Sequence, residues 1–155
     1  MIFRTHLIFN ILMGLILVQY LSPTQKWLFL TIFILSGLLP DIDTTKSKIG
    51  RRYKKTSFIA NLLFGHRGLL HTIYPPLLLF ITFDYFGLGV LGFASLLGYL
   101  SHLLLDMLTL QGLQVFRPIS KFHVRGFFRT GGFLETLFQA CLIIILVYVI
   151  KSMVG

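Results

Sequence analysis

His102 and Asp106 stand four residues apart inside an apolar run. On a helix this spacing puts an imidazole and a carboxylate on one face, one turn apart, where they can hold one ion. Thr109 continues the stripe. Ionisable groups inside an apolar span are costly and normally have a partner. An interhelical hydrogen-bonded pair would satisfy them, and so would a metal ion. The functional role usual for intramembrane ionisable groups favours the metal.

Three further clusters add candidates. His66 and His71 frame Gly65-His66-Arg67-Gly68-Leu69-Leu70-His71-Thr72. The glycines permit a tight turn into a helix, with His71 expected in its first turn and His66 just before it. Alone, the pair reads as a helix cap with two interfacial histidines. Beside the other acids and imidazoles, it becomes the second half of a metal site. Leu39-Pro40-Asp41-Ile42-Asp43 closes an apolar segment with two carboxylates, because proline cannot continue a helix comfortably. Turn chemistry accounts for aspartates there, and so does ligation, Asp41 being the better candidate and Asp43 the weaker. Carboxylate with imidazole suits zinc and other divalent first-row ions.

His6 shares a helical face with Asn10 and Gly14, and a polar stripe in an apolar span points inward. His6 is thus a candidate ligand and Asn10 its support. Glu135 reads three ways: a ligand, a general base, or an acid favoured by a helix N-terminus. His123, a loop histidine among cations, is expected to meet solvent or headgroups.

These residues need a scaffold, and composition limits its kind. The chain has 155 residues, 55% of them hydrophobic and 12% charged, with mean hydropathy +0.84. A soluble domain cannot bury that much apolar surface, and 155 residues allow one domain, 1–155. The expected fold is all-α, a polytopic membrane helix bundle of about five spans. The segments run from about Thr5 to Leu21, Gln25 to Leu39, Gly68 to Phe83, Phe86 to Leu110 and Gly132 to Ile150. The second and third are short against the roughly 20 residues that cross a hydrocarbon core. Arg4 precedes the first run, but no small-x-small cleavage pattern follows, so an uncleaved span is expected. The single cysteine, Cys141, forms no internal disulfide and reads as a small apolar helix residue. Gly92, Ala94, Ser95 and Gly98 give the fourth segment a small-residue face suited to close helix approach.

The formal charge of +9 reports topology and lipid contact rather than nucleic acid. One basic loop, 41–67, holds Lys46, Lys48, Arg51, Arg52, Lys54, Lys55 and Arg67. A second holds Arg117, Lys121, Arg125 and Arg129. With five spans both loops and Arg4 fall on one side, which the positive-inside rule makes cytoplasmic, with the N-terminus inside. The His and Asp candidates fall on that same side, though they played no part in assigning it. Anionic membrane lipids are the expected partners.

The series Thr5-His6, Leu39-Pro40-Asp41-Ile42-Asp43, Gly65-His66-Arg67-Gly68, His71-Thr72, Gly98-Tyr99, Ser101-His102 and Asp106 resembles the YdjM family of inner-membrane proteins. The resemblance runs from Thr5 to about Pro118. It implies a membrane hydrolase with metal held by His6, Asp41, His66, His71, His102 and Asp106. The order His, Asp, His, then His-x-x-x-Asp is also similar to zinc-dependent phospholipase C. That group has more ligands in its later portion than this chain offers, so one or two Zn²⁺ ions are expected rather than three.

The resulting expectation is metal-assisted hydrolysis at the cytoplasmic face of the inner (plasma) membrane. Zinc would lower the pKa of bound water to about 7. The substrate would be an ester or phosphoester of a lipid-like anion. Glu135 or Asp43 would serve as general base, and Arg67 would neutralise a phosphoryl oxygen. The rival is a non-enzymatic membrane protein whose metal staples short helices and whose basic loops bind lipid or a partner. A transporter is disfavoured, because no ionisable residue lies near mid-membrane.

Overall fold

The computed structural model describes residues 1–43 and 69–154. His66, Arg67 and most of the first basic loop lie outside these residues. The side chain of Asp43 is likewise not described. Among the described residues five α-helices follow in order: α1 Phe3–Leu21, α2 Lys26–Leu38, α3 Tyr74–Tyr85, α4 Gly89–Met107 and α5 Phe133–Val154. Among the described residues there is no strand. Three of the helices, α1, α4 and α5, are long and apolar enough to cross a membrane. α2 and α3 have 13 and 12 residues, about 20 Å and 18 Å of helix. The expected all-helical membrane bundle is therefore what the chain forms, with two members that are short.

The helix ends follow local chemistry. α2 stops at Leu38, and Pro40 is carried in a 3-10 turn, Leu39–Asp43. The third element corrects an expectation. Its α-helix starts at Tyr74 rather than near Gly68, and His71 lies in a separate 3-10 turn, Leu69–His71. Pro75 and Pro76 explain this, since the missing N–H groups are harmless only in the first turn of a helix.

α4 is the centre of the bundle, packing most extensively on α2 and α3, with α1 against α2 and α5 against α1. Its small residues are the reason. A Cβ on Gly98 would strike the carbonyl oxygen of Phe33 on α2, and one on Gly92 would lie 3.1 Å from the Phe80 carbonyl oxygen on α3. Ser95 and Ser36 meet across α2 and α4 at 3.1 Å. With little hydrophobic drive between helices in lipid, such close backbone approach supplies the packing. α5 is largely exposed and buries only Glu135, Leu142 and Val149. Leu142 and Val149 cluster with Leu12 of α1.

At the helix ends remote from His102, Tyr20, Trp27 and Tyr85 are 89%, 80% and 85% exposed. Amphipathic rings of this kind mark a membrane–water boundary. Because backbone cannot yield as a side chain can, Gly98→Ala is expected to cost about 1–3 kcal/mol. Thermal unfolding in detergent checks this, and an unchanged midpoint would show that α2 and α4 do not need this approach.

Candidate metal centre

Five of the candidate residues converge, delivered by four elements. His6 comes from the second turn of α1, Asp41 from the 3-10 turn after α2, and His71 from the 3-10 turn before α3. His102 and Asp106 come from successive turns of α4. The Asp106 carboxylate is the hub. His6 Nε2 lies 3.4 Å from its Oδ1, His71 Nε2 3.7 Å from its Oδ2 and His102 Nε2 4.0 Å from its Oδ2. Asp41 Oδ1 is 4.0 Å from His102 Nε2. The amino group of Met1 also donates to Asp106 Oδ1 at 2.9 Å. The His6 and His102 rings stack with centroids 4.0 Å apart, and His71 meets His102 edge-on at 5.7 Å.

Two triads can each direct one donor atom to a common point: His6, His102 and Asp106, and Asp41, His71 and His102. His102 belongs to both. Its Nδ1 lies 2.8 Å from the Gly37 carbonyl oxygen, whose acceptor role fixes the proton on Nδ1. That leaves Nε2 as a bare lone pair, and this atom is buried without a hydrogen-bond partner, as is Nδ1 of His6. Unpaired buried acceptors cost free energy, and a carbonyl holding the far nitrogen is the usual support of a metal-bound histidine. The donor set therefore fits a divalent ion. Burial pushes the Asp41 carboxyl above its usual range, with the His6 and His71 imidazoles opposing that push. A cation at this point would reverse it.

The surrounding polar residues hold the ligands in place. Asn10 Nδ2 donates to the His6 carbonyl at 3.0 Å, and Asn10 Oδ1 accepts from Ser101. Gly37 has no room for a side chain because the Asn10 amide sits against it. Tyr99 O–H donates to the Leu70 carbonyl at 2.5 Å, tying α4 to the turn that carries His71. Asn10 stood out in the sequence as a support. The Gly37 carbonyl did not, because a backbone oxygen leaves no signature in residue type. The role of Tyr99 was equally hidden, since its partner is also backbone.

Glu135 and His123 lie elsewhere. Glu135 Oε1 accepts from Ile2 N at 2.6 Å and Thr5 Oγ1 at 3.0 Å, and Oε2 accepts from Gly131 N at 2.7 Å. Both oxygens thus clamp the starts of α1 and α5, a use closer to helix capping than to proton transfer. His123 bridges the Gln111 carbonyl and Arg125 within the second basic loop.

The family model described as YdjM inner membrane protein matches residues 1–154. The chain belongs to this family. Inner membrane protein YdjM of Escherichia coli (strain K12) is 36% identical over 124 residues, 73% of this chain and 63% of that protein. The uncharacterized protein YvsG of Bacillus subtilis (strain 168) is 36% identical over 107 residues, 67% of this chain and 66% of that protein. The matches thus span slightly under two thirds of each relative. No solved structure matches the chain. YdjM membership and the apolar helices make this an inner-membrane protein.

Gly37→Ala removes no ligand but forces Asn10 and the His102 acceptor apart. It is expected to weaken metal affinity by about 10–100-fold. Competition against a chelator reads this directly, and unchanged affinity would detach the Gly37 carbonyl from the centre.

Proposed function

We propose that this YdjM-family protein is a metal-dependent hydrolase acting at the cytoplasmic membrane face on a phosphoester or ester of a lipid-like anion. The observation that carries the reading is His102 Nε2: buried, unpartnered and aimed among two carboxylates and two further imidazoles. His6, Asp41, His71, His102 and Asp106 would hold the ion. His66 belongs with them by the family resemblance, although it lies outside the described residues. Both triads share one free nitrogen on His102, which favours a single ion in this set. Zinc suits a mixed imidazole and carboxylate shell.

A divalent ion supplies Lewis acidity, polarising an ester or phosphoryl oxygen and acidifying water at neutral pH. The chain's own residues do the rest. The Gly37 carbonyl fixes the His102 tautomer, and Asn10 and Tyr99 fix the turns that carry His6 and His71. Asp41 has the greatest side-chain exposure of these donors, 18% against 4% or less for the others. It is placed to yield a coordination position or to accept a proton at the solvent edge. Asp43, two residues on, is the other candidate base. Arg67 is assigned to an anionic phosphoryl oxygen on charge alone. Glu135 has both oxygens engaged and is left with a structural role.

The reading of a purely structural metal has one observation in its favour, the near-complete burial of His6, His71, His102 and Asp106. Structural sites are closed by protein ligands, while catalytic ones keep a position open.

Metal content by mass spectrometry on the detergent-purified protein is the deciding measurement. About one zinc equivalent is expected in the parent and none in the His102→Ala, Asp106→Ala double variant. Glu135→Ala should keep its metal while losing about 1–3 kcal/mol of stability, because buried donors lose their acceptor. Arg67→Ala should keep metal and lose turnover of phospholipid and phosphoester substrates. A folded parent without stoichiometric metal after zinc is supplied would end the hydrolase reading. Bound metal without turnover on any such substrate would leave the structural one.

A further inference from the structure

The segment between α4 and α5 is a folded cap. Leu113 N donates to the Val124 carbonyl at 2.9 Å and Val124 N to that of Leu113 at 3.0 Å. Leu110 N and Phe128 N reach the Phe128 and Leu108 carbonyls at 2.9 and 3.0 Å. Leu113 and Val115 turn inward onto Tyr99 and Leu103. The cap also grips the turn that carries His71, through Ile73 N to the Val115 carbonyl at 3.0 Å and Tyr74 O–H to the Phe116 carbonyl at 3.1 Å.

Its outer surface is unusual for a face meeting water. Phe116, Ile119, Phe122 and Phe127 are exposed, Ile119 at 83%. Arg117, Lys121, Arg125 and Arg129 alternate with them and are exposed as well. Residues 108–132 contain no Asp or Glu, so nothing acidic in the cap neutralises these four cations. Interleaved large apolar and cationic side chains are poor solvent contacts. They suit the boundary between acyl chains and headgroups, where rings enter the apolar layer and cations stay among phosphates. The cap joins two helices that are long and apolar enough to span, which holds it at a membrane surface.

We propose that residues 116–129 form an anionic-phospholipid docking surface, with Phe116, Ile119, Phe122 and Phe127 dipping into the leaflet and Arg117, Lys121, Arg125 and Arg129 binding lipid phosphates. The surface stands apart from any hydrolysis, since none of its residues belongs to the metal centre. Its tie to Ile73 and Tyr74 sets bound headgroups beside the turn that carries His71.

The test uses the full chain with its single tryptophan moved. Trp27→Phe with Phe122→Trp puts the fluorophore in the cap, and Ile119→Trp gives a second, independent reporter at a more exposed site. Each is reconstituted into phosphatidylcholine vesicles containing, at equal mole fraction, acyl-brominated phosphatidylglycerol or acyl-brominated phosphatidylcholine. Bromine quenches only nearby tryptophan, so insertion and lipid choice are read together. Stronger quenching by brominated phosphatidylglycerol is expected, fading with added salt. Replacing Arg117, Lys121, Arg125 and Arg129 with Gln one at a time should cut the preference by about fivefold each at low salt. Equal quenching by both lipids would overturn headgroup recognition, and absence of quenching by either would overturn insertion. Because salt acts on the otherwise unaltered reporter chain, the result does not depend on the Gln variants folding.

Discussion

Desolvation of ionisable side chains is the constraint around which this molecule is arranged. Three imidazoles and a carboxylate lie almost wholly buried in a bundle of apolar helices, with a second carboxylate at the edge. Each isolated charge would be expensive there, and each unpaired lone pair would cost something as well. The chain answers by gathering the groups at one point. Asp106 faces His6 through one oxygen and His71 and His102 through the other, so one carboxylate serves three rings. Of the two ring nitrogens this arrangement leaves bare, His6 Nδ1 and His102 Nε2, the second is the one that a metal held among these carboxylates would satisfy.

That gathering needs close helices, and close helices need small residues. Gly98 and Ser95 let α4 lie against α2, and Gly92 lets it lie against α3. Gly37 then carries two duties at one position. Its missing side chain admits the Asn10 amide, and its carbonyl orients His102. Helix packing and the orientation of the His102 ring thus meet at one residue. The short α2 and α3 belong to the same logic. A 3-10 turn follows α2 and another precedes α3, and those turns deliver Asp41 and His71 where a continuous helix would carry them past the cluster.

The two ends of the bundle differ in chemistry. Tyr20, Trp27 and Tyr85 form an aromatic rim with few charges. The opposite end carries the candidate metal centre and, beyond α4, a cap studded with arginine, lysine and phenylalanine. Glu135 closes this end by binding the N–H of Ile2 and of Gly131, joining the start of α1 to the start of α5. An acid in the first turn of a helix is ordinary on dipole grounds. Here the same carboxylate also fixes the entry of α1, and so the height of His6.

The sequence by itself determined the class of molecule. Hydrophobic runs and scarce charge specify membrane helices because lipid admits backbone only when its polar groups are paired internally. The four-residue spacing of His102 and Asp106, and the candidacy of His6, Asp41 and His71 beside them, were equally legible. Tertiary structure alone decided what depends on backbone atoms and on distances between elements. Pro75 and Pro76 shifted the start of α3 and placed His71 in a turn of its own. The hydrogen bonds of Glu135 to Ile2, Thr5 and Gly131 depended on which donors came within reach, and the acceptor for His102 was a glycine carbonyl. Residue types encode side-chain chemistry and period, while partners drawn from the backbone become visible only once the chain has folded.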